Sequence, residues 1–210
     1  MTTKPHPRLY LATPALADPA AFVPQLEPVL RAGDVAAVLL RLEDADERLL
    51  INRIKSVARS VQGHDAALLL DGRPALVARA GADGAHLAGI EALQAALPML
   101  QPDWIAGAGD LRSRHDAMLA GEAGADYVMF GDPGRRGSRA EFGVIEDRLT
   151  WWAELFQPPC VGYAANADEI RPLAQAGADF IALGDWIWTD SGGGEAAVAA
   201  AAQILAATAG

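Results

Sequence analysis

The sequence predicts an α/β fold, a closed TIM (β/α)8 barrel that fills residues 1–210 as a single domain. Two observations carry this. The tetrapeptide Ala-Gly-Ala-Asp occurs three times, beginning at Ala80, Ala123 and Ala176, with a shorter Arg31-Ala32-Gly33-Asp34 upstream. Each copy closes a helical pattern and opens an apolar run, so the chain alternates helix and strand through about eight units. An open doubly wound sheet is the competing architecture, and the count of eight disfavours it.

Taken in order, the strands are expected at Arg8 to Thr13, Val35 to Leu42, Ala66 to Gly72, Gly84 to Gly89, Trp104 to Gly109, Tyr127 to Pro133, Cys160 to Ala165 and Phe180 to Trp188. Most are continuously apolar without alternation, as strands covered on both faces require. Helices are expected at Pro19 to Ala32, Ala45 to Val61, Pro74 to Ala80, Ile90 to Leu97, Ser113 to Ala123, Ile145 to Phe156, Ala167 to Ala176 and Glu195 to Ala207. The repeat itself reads as a joint. Gly33, Gly81, Gly124 and Gly177 can take the positive φ that ends a helix, and the Asp that follows can bond nearby backbone in a tight turn. Such αβ joints lie at the face of a barrel that serves stability, which assigns chemistry to the opposite end of the strands.

Composition narrows the partners. A formal net charge of -10 disfavours nucleic acid and anionic membrane, leaving a phosphorylated small molecule that local cations must hold. A single cysteine, Cys160, rules out an internal disulfide framework and reads as a small core residue. No leader-like or membrane-spanning apolar segment is recognisable, so a cytoplasmic protein is expected.

At the ends of the strands the sequence offers Arg41, Glu43 and Asp44 after the second, Asp71 and Arg73 after the third, and Glu91 after the fourth. Asp110 follows the fifth strand, and the sixth runs into Asp132 and a loop carrying Arg135, Arg136 and Arg139. Asn166 follows the seventh strand and also suits a helix N-cap; Asp185 and Trp186 belong to the eighth. Carboxylates beside cations suit a magnesium-bound phosphate or diphosphate.

The chain resembles the thiamine phosphate synthase and TenI family over most of its length. The likeness rests on the opening Arg8-Leu9-Tyr10-Leu11-Ala12-Thr13, on Arg41, on Leu68-Leu69-Leu70-Asp71, and most specifically on Ala82-Asp83-Gly84-Ala85-His86-Leu87. It implies a transferase that joins a thiazole phosphate to an aminopyrimidine diphosphate through a pyrimidine carbocation, releasing pyrophosphate with the help of magnesium. By position, Arg41 matches the diphosphate-binding arginine, Asp71 a magnesium ligand, and Glu91 the second ligand.

The family pattern is interrupted elsewhere. Glu43 and Leu70 replace an expected Lys and Asn. Ala164-Ala165 replaces a Gly-Gly, and Gly184-Asp185 replaces a Val-Ser near the thiazole phosphate. An ionised Asp185 there is expected to repel a dianion, while Arg135, Arg136 or Arg139 could stand in for the family's lost lysine on the phosphate. The alternative function is therefore a paralogue that has lost synthase activity, whether TenI-like, a binding protein or an enzyme for another small metabolite.

His86 reads as a hydrogen-bonded structural residue and His115 as a helix-surface residue. Trp186 and Trp188 could stack a planar ligand, with Trp186 the one to test. The other reading has them pack, with Trp151 and Trp152, in the core or between the subunits of a homodimer.

Overall fold

The computed structural model describes residues 6–133 and 139–208. Eight parallel strands close on one another in sequence order, and the first pairs with the last. They are β1 (Arg8–Leu16), β2 (Val35–Leu42), β3 (Ala67–Asp71), β4 (Gly84–Ala88), β5 (Ile105–Gly109), β6 (Tyr127–Phe130), β7 (Cys160–Ala164) and β8 (Phe180–Leu183). The helices outside them are α1 (Pro19–Arg31), α2 (Glu47–Gln62), α3 (Val77–Ala80), α4 (Ile90–Leu100), α5 (Arg114–Ala123), α6 (Phe142–Leu155), α7 (Ile170–Gln175) and α8 (Gly194–Ala206). None of the described helices is long and apolar enough to cross a membrane.

Each strand feeds two cores. Along β1, Leu9 and Leu11 face the helices while Tyr10 and Ala12 face the barrel interior, because successive side chains leave opposite faces. Inside, Leu39, Leu69, Tyr127, Met129, Val161 and Tyr163 pack with Tyr10. Both layers are apolar, so the alternation is hidden in the sequence and only the run survives. Gly107 on β5 is demanded by this packing. A methyl there would sit 2.0 Å from the Tyr127 ring.

The repeated aspartates do more than turn the chain. Asp83 accepts the Leu68 N–H at 2.7 Å, Asp126 accepts that of Ala106 at 2.7 Å and Asp179 accepts that of Cys160 at 2.8 Å. Each aspartate's own N–H returns to the carbonyl of the same residue at 2.9 Å. The side chain therefore clamps the start of the preceding odd-numbered strand to the start of the even one, rather than bonding its own turn as the sequence reading expected. Gly81, Gly124 and Gly177 take positive φ, but Gly33 does not. A methyl on Gly33 would meet Leu9 Cδ1 at 2.8 Å, so close packing is what requires glycine there.

Two boundaries differ in ways that matter. The eighth apolar run ends as a strand at Leu183 and continues as a 3-10 turn over Asp185–Trp188, with Ile187 N–H donating to the Gly184 carbonyl. The strand expected to reach Trp188 is shorter because after Leu183 the backbone bonds within its own turn rather than to β1 or β7. β1 in turn runs three residues past Thr13, and the buried Thr13 hydroxyl accepts the Arg41 N–H at 3.0 Å. That bond fixes the backbone of the one arginine singled out on β2.

Candidate active site

At the C-terminal ends of the strands lies a cavity of about 410 Å3 whose polar wall includes Arg41, Asp71, Arg73, His86, Asp132 and Tyr163. That volume suits a drug-sized ligand. Arg41, at the end of β2, reaches across the mouth. Its Nε stands 3.6 Å from Asp71 Oδ2 and its Nη1 3.3 Å from Asp185 Oδ1. Arg73 donates to Asp44 Oδ1 at 2.7 Å and to the Leu42 carbonyl at 3.2 Å. The rim is thus a set of cations already compensated by carboxylates, and an incoming anion must exchange places with one of them.

Behind His86, which lines the cavity, a buried hydrogen-bonded row runs into the barrel interior. Tyr10 Oη lies 3.0 Å from Tyr127 Oη, which lies 2.8 Å from His86 Nδ1. Burial, chiefly, pushes both phenols above their ordinary pKa and pushes His86 below its own, against the pull of Asp132 and Asp71. Asp132 is shifted up, also by burial, although His86 and the Asp110 N–H that it accepts at 2.9 Å both favour its charge. Asp110 makes that bond from a positive φ of 49°, a conformation non-glycine residues rarely hold.

A family model described as thiamine monophosphate synthase matches residues 9–189. The chain belongs to that family. It is 42% identical over 195 residues to thiamine-phosphate synthase of Rhodospirillum centenum, covering 91% of this chain and 94% of that one. It is 37% identical to the thiamine-phosphate synthase of Hyphomonas neptunium, covering 94% and 93%. Among solved structures it is similar to thiamine phosphate pyrophosphorylase from Pyrococcus furiosus, with a TM-score of 0.79, 23% identity and 97% of each chain covered. The 3-hexulose-6-phosphate synthase of Salmonella typhimurium shares the barrel, at a TM-score of 0.73 and 16% identity.

Within this family scaffold the candidate residues divide. Arg41 and Asp71 are brought together on the cavity wall. Glu91 is exposed on the first turn of α4 and does not line the cavity. Among the described residues no three His, Cys, Asp or Glu side chains converge as a metal cluster. Arg135 and Arg136 lie outside the described residues.

Arg139, expected as a phosphate ligand, already has protein partners on its guanidinium. Its guanidinium donates to both oxygens of Glu169 at 2.9 and 2.7 Å, to the Gly131 carbonyl at 2.7 Å and to the Tyr163 carbonyl at 2.9 Å. Glu169 also accepts the Ala165 N–H at 2.8 Å. The pair braces the ends of β6 and β7 against the turn that leads to α7, which uses four of the five N–H groups a guanidinium owns.

Asn166 caps the following 3-10 turn, accepting the Asp168 N–H at 3.0 Å, and is exposed beside the rim. Trp186 donates its indole N–H to the Ala164 carbonyl at 3.1 Å and packs against the outer core, off the wall of the mouth cavity. Trp188 donates to the Ala12 carbonyl at 2.7 Å and lies edge-on to Phe22. Trp152 is fully buried. Trp151, like Trp186 and Trp188, is half-buried.

His86, which the sequence reading made structural, and Asp132, which it left without a role, both face the cavity. The available signal was positional. His86 lies two residues before Ala88 on the inward face of β4, and Asp132 is the second residue beyond β6, where barrels place their chemistry. Asp185, expected to repel a phosphate, is instead held by Arg41, so its effect is competition for that cation rather than a bare negative charge.

Proposed function

We propose that this barrel joins a thiazole phosphate to an aminopyrimidine diphosphate at the mouth cavity and releases pyrophosphate. What carries the reading is the coincidence of a family match over residues 9–189 with Arg41 and Asp71 meeting on the cavity wall, where a diphosphate needs a cation and a magnesium ligand.

In the reaction the bond between the pyrimidine methylene carbon and the diphosphate oxygen breaks, and its electron pair leaves with the diphosphate. The thiazole nitrogen then donates its lone pair to the resulting carbocation. Arg41, released from Asp185, grips the departing diphosphate in a bidentate manner, and Arg73 adds positive charge from the next strand. The barrel wall holds the two rings in line and excludes water from the carbocation.

Magnesium typically takes one or two carboxylates and completes its shell with substrate phosphates and water. Asp71, at the rim and partly exposed, fits that demand; Glu91, the second ligand expected from the sequence, stands on α4 off the cavity wall. The ion would supply neutralisation of the diphosphate charge.

The second reading, a family member that takes a different nucleophile, draws on the internal use of Arg139 by Glu169, which withdraws one predicted phosphate ligand. An assay with both substrates and magnesium separates the two. Pyrophosphate release with formation of the coupled product is expected. Binding of the aminopyrimidine diphosphate without release in the presence of the thiazole phosphate supports the second reading, and neither binding nor release contradicts the proposal.

A further inference from the structure

The floor of the cavity carries a donor and an acceptor aimed at one small space. Gly109 has no side chain, and a methyl there would stand 2.4 Å from His86 Nε2 and 2.8 Å from Asp132 Oδ2. The missing methyl leaves both groups open to the cavity they line. Asp132 accepts from the Asp110 N–H and from its own backbone N–H, and a carboxylate with about four lone-pair sites keeps further acceptor capacity after that.

The buried row behind His86 sets which of its nitrogens carries the proton. If Tyr10 donates to Tyr127 and Tyr127 donates to Nδ1, every proton in the row is used and the neutral imidazole is protonated on Nε2. The opposite order leaves the buried Tyr10 hydroxyl with no protein acceptor among the described residues, which is costly. His86 therefore presents a donor to the cavity and Asp132 presents an acceptor.

We infer that His86 and Asp132 read the edge of the aminopyrimidine ring, Asp132 accepting from the 4-amino group and His86 Nε2–H donating to the adjacent ring nitrogen. The inference rests on the proposed function for the identity of the ring. A 4-aminopyrimidine places an N–H donor beside a ring-nitrogen acceptor, the complement of this pair. The 4-oxo counterpart reverses both, with a carbonyl oxygen facing the carboxylate and a ring N–H facing the His86 donor. Neither residue is needed for bond making, so the pair sets specificity and orientation.

The test is calorimetric binding, with magnesium and without the thiazole partner, of the 4-aminopyrimidine diphosphate and of its 4-oxo counterpart. The wild-type protein is expected to favour the amino form by about 10- to 100-fold, the range of a lost charge-assisted hydrogen bond. Asp132→Asn keeps an oxygen for the Asp110 N–H while its amide can also donate, so it is expected to bind the oxo form at least as well as the amino form. His86→Gln, which retains a donor, is expected to keep most of the preference. A wild-type protein without discrimination, or an Asp132→Asn variant that retains it, overturns the inference. Failure of turnover in the wild-type protein bears instead on the proposed function, because the discrimination is read from binding alone.

Discussion

Arg41→Ala is expected to lower kcat/KM for the aminopyrimidine diphosphate by about 10²–10³-fold, the usual cost of removing one group that stabilises developing charge. Arg41 is four-fifths shielded from solvent, is anchored through its backbone to Thr13, and faces both Asp71 and Asp185, whereas Arg73 is tied to Asp44 and the Leu42 carbonyl. Arg41→Lys keeps the charge but loses the planar fork, and a deficit on the order of tenfold is expected to remain. Asp185→Asn acts in the other direction. It removes the competitor for the guanidinium and should lower KM for the diphosphate several-fold. Steady-state kinetics with the thiazole partner saturating measure all three, and an Arg41→Ala enzyme with unchanged kcat/KM would remove Arg41 from the mechanism.

Trp152→Ala is expected to cost about 3–5 kcal/mol of stability, as truncation of a fully buried aromatic does, and to lower Tm by roughly 10 °C in a chain of this size. The ring stacks on Phe156 at 4.3 Å between centroids, meets Phe130 edge-on at 6.1 Å and donates its indole N–H to the Pro158 carbonyl at 2.8 Å. Trp152→Phe restores much of the volume but not the N–H, and a loss of about 1–2 kcal/mol is expected from the unpaired carbonyl and the smaller ring. Thermal denaturation monitored by circular dichroism checks both. A melting point unchanged in Trp152→Ala, accompanied by a change of oligomeric state in sedimentation, would move Trp152 from the core to an interface.

The barrel was legible because its joints repeat. Gly81, Gly124 and Gly177 with their following aspartates mark where β4, β6 and β8 begin, and that fixes which ends of the strands form the mouth. The run from Phe180 to Trp188 shows the limit of apolar patterning. A hydrophobic stretch cannot tell a strand from the 3-10 turn that succeeds it, since both bury the same side chains against the outer core. Of the candidate site, the residues named from the sequence that the structure brings together on the cavity wall are Arg41 and Asp71, each of which carries its own charge.

The rest of the site was hidden because it consists of pairings between distant segments. Arg139 reads as one of three cations in a loop, but its partner Glu169 is 30 residues away, and the bidentate bond between them decides that it braces the rim. His86 and Asp132 converge only because Gly109, on the strand between theirs, is empty. No local spacing records that.

The most direct measurement is a crystal structure of the protein with magnesium and the aminopyrimidine diphosphate, without the thiazole partner. The account predicts the diphosphate in the mouth cavity between Arg41 and Asp71, with Arg41 turned away from Asp185 onto the phosphate oxygens. A diphosphate bound elsewhere, with the Arg41 and Asp185 pair intact, would contradict it.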